Sequence, residues 1–380
     1  MRIYAIIIFC LFISFGCEKN EKNAESKYSV NINVAEKETH YLSESTKFHK
    51  VVSLETTENS LIRKIHKVYL SESHIIIFDE SLSEIFIFDS NGKFITKCGT
   101  KGNGPGEHAY FSDVYYDDSS RLIYATEGQK RLMYIYDLDG VLKESVSTSN
   151  IWFRSFCKVE DGYWLYTGMP NAELENSLLK VDHKFNIIKE FLPQKMFFTT
   201  VWRPTFFVDE RGRNFFASPY GNMVYHLADN KIEPYIEIDM GSNGIPFEKI
   251  PECEDEDMYA QLVSGDDLYG DFHNFILNKN QFYFNFSTMH NQTVVYYLGY
   301  SDIDKSDSKV YKDFGQYKRA DFPFDDITFT LINTTYKGNF ICAVEPYRLS
   351  PNDLAKANEI TSNDVTIDSN PLLFFLKIIE

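Results

Sequence analysis

Positive charge, catalytic signatures and long apolar runs are what this 380-residue chain has least of. Lys and Arg number 38 against 55 Asp and Glu, giving a net charge of −17. That is the wrong sign for neutralising a phosphate backbone, and it argues against nucleic acid as a partner. No Gly-x-Ser-x-Gly, His-Glu-x-x-His or Walker-type glycine string occurs, so the usual marks of serine hydrolases, zinc proteases and P-loop NTPases are missing. Six cysteines form no Cys-x-x-Cys or Cys-x-x-His, which removes zinc-ligand spacing. The most hydrophobic stretch, Ile3 to Phe15, is too short to span a bilayer.

That stretch follows Arg2 and ends in Ser14-Phe15-Gly16-Cys17. A basic residue, a short apolar core and a small residue before Cys have the form of a bacterial lipobox, with residues 1–16 as signal peptide and Cys17 as the acylated mature N-terminus. The polar segment after it, EKNEKNAESK, reads as a tether; the expected organisation is tether over 17–45 and a single domain over 46–380. The expected address is the cell envelope, on an outer-membrane lipid anchor facing the periplasm or the surface. Of the remaining cysteines, Cys98, Cys157, Cys253 and Cys342, the second and fourth lie in apolar strand-like runs and read as small buried hydrophobes. An exported chain could hold one disulfide, and spacing does not pair it.

What the chain has in excess is aromatic: 32 Phe and 25 Tyr, 16% of residues with Trp, which favours strands. Strand sets recur at intervals of roughly 40 to 50 residues, the period of propeller blades. HIIIFDESLSEIFIFDSNGKFITKC (His74–Cys98) aligns with RLIYATEGQKRLMYIYDLDGVLKES (Arg121–Ser145), placing Asp89 on Asp137 and Gly92 on Gly140. Weaker copies span Trp152–Leu192, Val201–Met240 and Phe272–Phe314. The last unit, Ile327–Val344 plus Leu372–Ile379, has three strands, and Val51–Glu55 supplies its outer fourth. The expected fold is all-β: a six-bladed β-propeller of four-stranded antiparallel blades, its N-terminal strand closing the last blade. A β-sandwich is the runner-up, disfavoured by the regular spacing and the length. An acidic insertion over about 248–271 and a polar one over Ser350–Ser369 interrupt the pattern, the first with a short helical excursion.

VSLETTENSLIRKI, FDSNGKFITKCGTKGNGPGEHAYFSDVYYD and FFASPYGNMVYHLADNKIEPYIEIDMGSNGIP resemble the NHL-repeat-like six-bladed β-propeller lipoproteins of Gram-negative anaerobes. The resemblance covers Val51 to the C-terminus, and Gly102–Glu107 is its most specific piece. It implies an exported, lipid-anchored propeller and carries no reaction or ligand.

The glycine-rich string Gly99–Gly106 lacks phosphate-loop spacing and a following helix, and reads as a connection between blades. The acidic run Glu254–Asp257 lacks the spacing of a calcium loop and reads as a solvated face. Small-molecule propellers use one mouth of the central channel, where the strand reading places His66, Asp113, Arg154, Arg203, His273 and Asp325. Trp152 and Trp202 flank the two arginines, the make-up of a recognition patch for carboxylates, sugars or peptides. The expected function is a binding or scaffold module for a peptide, glycan or partner membrane protein, without a cofactor. The alternative is a metal-dependent hydrolase or lyase using His66, Asp113, His273 and Asp325, for which Ca²⁺ or another divalent ion would be needed. A structural subunit of an outer-membrane complex is the third reading.

Overall fold

The computed structural model describes residues 25–34, 41–149, 151–168, 176–193, 205–219, 221–253, 255–263, 268–290, 293–305, 307–312, 317, 319–325 and 327–379. They form six antiparallel sheets arranged in a ring, a six-bladed β-propeller. From inner to outer strand, blade one runs from Lys67–Leu70 to Phe94–Lys97 and blade two from Asp113–Asp117 to Leu142–Ser147. Blade three runs from Ser155–Val159 to Ile187–Pro193 and blade four from Phe206–Val208 to Lys231–Asp239. Blade five runs from Tyr269–Asn278 to Asp307–Lys312, and blade six from Thr330–Tyr336 outward to Thr46–Ser53.

Each blade is buried on both faces, so its middle strands read as unbroken apolar runs rather than alternating ones. Ile75, Ile76, Ile77 and Phe78 on one strand are all at most 1% exposed; fully burying such a side chain contributes about 2 kcal/mol. A separate apolar cluster fills each of the six gaps between neighbouring blades. Aromatic rings supply much of the filling. Tyr283 meets Phe340 edge-on at 4.7 Å between blades five and six, and Phe207 stacks on Phe275 at 5.7 Å between blades four and five.

The aligned Asp and Gly of the repeat have distinct tasks. Oδ1 of Asp89 accepts from the N–H groups of Asn91 and Lys93, that of Asp137 from Asp139 and Val141, and that of Asp182 from Lys184 and Asn186. Each carboxylate thereby folds the turn into its blade's outer strand. Gly92 and Gly140 have φ of +88° and +73°, and a Cβ would lie 2.1 Å from Ser53 O in one case and 2.3 Å from Lys97 O in the other. Glycine here allows both the turn and its approach to the neighbouring blade's outer strand.

The expected closure is present: Thr46–Ser53 pairs antiparallel with Leu372–Ile378 as the outer strand of blade six. The Asn370 side chain secures it, its Oδ1 accepting from Ile62 N–H and its Nδ2 donating to the carbonyls of Glu55 and Ser60. Within the segment expected as tether, Tyr28–Asn31 is instead a fifth, parallel strand on the outer edge of blade four and buries Val30. Leu42–Ser45 is a helical turn. The acidic insertion holds the expected helical excursion, a 3₁₀ segment Phe247–Glu252 and a helix Glu256–Val263, while Glu254 lies outside the described residues. The polar insertion carries the helix Pro351–Thr361, capped by Ser350 Oγ accepting from Asp353 N–H. Cys98, Cys157, Cys253 and Cys342 are all buried free thiols. The signal segment and Cys17 lie outside the described residues. No helix among the described residues is long and apolar enough to cross a membrane.

Replacing Asn370 with Ala strands one buried N–H and removes donors from two carbonyls, which we expect to cost about 3 kcal/mol. Denaturant unfolding reads this directly, and a loss below about 1 kcal/mol would mean that the closure does not depend on this side chain.

Candidate functional site

The inner strands of all six blades line one central cavity of about 630 Å³. Tyr69 and Tyr115, Phe206, and Tyr336 present half-buried rings to it from blades one, two, four and six. Several of its polar groups are engaged within the protein. Tyr69 OH donates to Val114 O at 2.7 Å, Tyr116 OH to Asp118 at 3.0 Å, and Cys157 Sγ to Asn214 Oδ1 at 3.1 Å. Burial pushes the hydroxyl of Tyr69 well above the ordinary phenol range. It therefore stays neutral at any physiological pH.

Around one end of the cavity the expected mouth residues take different parts. Asp113 is buried at the head of its strand; Oδ1 holds Lys67 Nζ at 2.6 Å and Oδ2 accepts from Phe156 N–H at 3.0 Å. One carboxylate so ties together the inner strands of blades one, two and three. His66 Nδ1 lies 3.2 Å from Glu80, which also accepts from Tyr110 OH. Burial is the largest influence on His66 and lowers its pKa, with Glu80 partly opposing. Arg154 N–H donates to Tyr166 O, and its side-chain stem crosses Gly168, where a Cβ would lie 3.0 Å from Arg154 Cδ. Trp152 is exposed on the same connection between blades two and three, its indole edge against Gly128.

His273 departs from the expectation of an open mouth position. Two register shifts break the inner strand of blade five, and Asp271 and Asn274 take φ of +54° and +52° beside it. These turn the imidazole inward, opposite Asn285, with Nδ1–H donating to Asp271 O at 2.6 Å. Asp325 is the clearest correction. It belongs to the outer side of blade six, where it accepts from Asn352 and Lys356 of the helix Pro351–Thr361, and it does not line the channel. The insertion forming that helix follows Asp325 by some 25 residues, so the strand reading alone could not bring it back. Trp202 and Arg203 lie outside the described residues. His66, Asp113, His273 and Asp325 are thus committed to separate partners rather than brought to one point. Among the described residues no group of three or more His, Cys, Asp or Glu is placed to hold one metal ion.

The glycine-rich connection cradles an anion after all, and the anion is its own Glu107. Gly104 N–H donates to Glu107 Oε2 at 2.8 Å, and a Cβ on Gly102 would lie 1.9 Å from the same oxygen. Lys130 and Tyr134 then donate to Glu107 O, fastening the loop to blade two. Glutamate closing the Gly-x-Gly-Pro-Gly-Glu string Gly102–Glu107 was the readable sign of this. The next residue, His108, stacks on Phe111 at 3.8 Å, and burial lowers its pKa.

Residues 27–377 match a domain of unknown function, DUF4934. No curated protein matches the chain. Among solved structures, a "Putative exported protein" of Bacteroides fragilis superposes with a TM-score of 0.74 at 16% identity, over 93% of this chain and 100% of that one. A member of the DUF4221 family from Bacteroides vulgatus gives 0.51 at 10% identity, over 89% and 99%. At these identities the likeness is one of fold.

Two predictions follow from this geometry. Asp113→Ala leaves Lys67 without its buried counter-ion and is expected to cost about 3–5 kcal/mol, with Asp113→Asn losing less because it can still accept from Phe156; equal losses would show the ion pair to be unimportant. His66 and His108 hold fewer protons folded than unfolded. Their contribution is therefore intact above the unfolded value of 6.5 and declines as pH falls from there toward the folded values. The unfolding midpoint should fall between pH 7.5 and pH 5.5, about the range set by ordinary imidazole titration, and fall less in His108→Gln. An unchanged slope in that variant would refute the assignment.

Proposed function

The chain belongs to the DUF4934 domain family, and on the geometry of its channel we propose that it is an exported cell-envelope lipoprotein whose propeller is a binding or scaffold module for a peptide, glycan or partner membrane protein. One observation carries this reading: a cavity of about 630 Å³, within the range of ligand pockets, lined from every blade and by half-buried rings from four of the six. Because the polar lining groups described above already have partners, recognition rests on the faces of rings, and an uncharged ring, such as an aromatic side chain or a sugar, is the complement. The hydrolase or lyase alternative draws no support, since its four residues serve separate structural contacts.

Export and anchoring rest on the lipobox ending at Cys17 and on the fold relative's name as an exported protein. The sequence resemblance to NHL-repeat-like propeller lipoproteins supports the same reading of a lipid-anchored envelope propeller. Substituting Cys17 by Ser should move the protein from the membrane to the soluble fraction of cells, and unchanged fractionation would refute the anchor. For the channel, the mature domain is screened against aromatic peptides and oligosaccharides by thermal shift. Tyr336→Ala is expected to weaken any ligand so found by about tenfold or more. Undiminished binding in both Tyr336→Ala and Tyr115→Ala would place the site elsewhere.

A further inference from the structure

A second cavity, of about 720 Å³, opens between blades three, four and five, away from the central channel. Tyr166 from blade three, Tyr225 from blade four, Phe272 from blade five and Phe247 from the acidic insertion give it aromatic walls. Most of its polar groups are spent. Asn222 Nδ2 donates to Ile238 O, Ser177 Oγ to Leu192 O, and Asp239 accepts from Gly241 N–H. The half-buried carboxylate of Glu237 and the hydroxyl of Tyr225 have no hydrogen-bond or ion-pair partner among the described residues, and the exposed Glu248 adds a second carboxylate at the rim.

Strand register brings these two together. Met223 pairs with Glu237 and Val224 with Ile236, but Tyr225 pairs with Pro234, so a bulge intervenes in the outer strand. Met223 and Tyr225, two residues apart, and Glu237, directly opposite Met223, share the face turned toward blade three, and the Glu237 charge is felt at the Tyr225 hydroxyl. No Lys, Arg or His is among the described residues lining the cavity.

An unpaired carboxylate, a hydroxyl beside it and ring faces around both are complementary to a cation on an apolar stem. We propose that this cavity binds a primary ammonium or guanidinium group carried on a flexible aliphatic chain, with Glu237 as counter-ion, Tyr225 OH as hydrogen-bond partner and the rings of Tyr166 and Phe247 against the stem. Such a group could be the side chain of a basic peptide or a free diamine.

Calorimetric titration of the mature domain with acetyl-trilysine amide, 1,5-diaminopentane and acetyl-triglutamate amide tests this. Saturable binding of the trilysine probe alone identifies a peptide side chain, and binding of the diamine alone identifies a free amine; either supports the site. Glu237→Gln should then weaken binding by about tenfold or more and Tyr225→Phe by about threefold, with the unfolding midpoint unchanged. Glu359→Gln, an equal change of net charge on the exposed face of the helix Pro351–Thr361, should leave binding unaltered. The proposal is overturned if neither cation saturates, if triglutamate binds as well, if Glu237→Gln binds normally, or if Glu359→Gln loses as much, which would indicate bulk charge attraction. The channel variants Tyr336→Ala and Tyr115→Ala should not affect these titrations, so the two sites can fail independently.

Discussion

Everything in this molecule depends on the ring being closed. No blade has a core of its own: each sheet buries both faces against its neighbours, so an opened ring would expose the two blades at the break and loosen the rest. The pairing of Thr46–Ser53 with Leu372–Ile378 joins the beginning of the propeller to its end. It also removes the unpaired edge that blade six would otherwise present. The aromatic excess follows from the same geometry, because flat sheets radiating from an axis leave wedge-shaped gaps, and Phe and Tyr fill these with few side chains. The channel is then what the inner strands leave open, held at constant width by cross-blade contacts such as Lys67–Asp113–Phe156 and the Ser155–Thr205 hydroxyl pair.

Much of the architecture could be read from residues. The 48-residue offset between Asp89 and Asp137 works because each carboxylate makes the same turn, and the offset between Gly92 and Gly140 works because each glycine meets the preceding blade's backbone. The closure was legible because unit six is one strand short. Tyr28–Asn31 was not legible: four residues joining a distant strand in parallel have no turn to announce them, and their partner lies some 200 residues away. The channel-mouth set was legible only in part. His66, Asp113 and Arg154 do flank the inner strands, but Asp325 is held outside by a helix, and His273 is turned inward by two left-handed residues whose conformation no composition reveals.

The two cavities differ in what they leave unsatisfied, and that difference carries the functional reading. In the channel the Tyr69 and Tyr116 hydroxyls and the Cys157 thiol are already bonded within the protein, and rings make up much of the recognition surface. Between blades three, four and five a carboxylate and a phenol have no partner among the described residues. One ring thus carries two chemically distinct openings on a single rigid frame. The same frame explains why the glycine-rich connection, despite its appearance, is turned toward its own glutamate: its task is to fix blade one to blade two.

The most direct test of this account is native-state hydrogen exchange across the closing strand. If closure governs the whole ring, the amides of Thr46–Ser53 and of the paired Leu372–Ile378 will exchange only through the global opening, at the same free energy as the middle strands of blades one and two. If Thr46–Ser53 exchanges at a much lower free energy while the blades remain protected, the ring stands without its closure and the account is wrong.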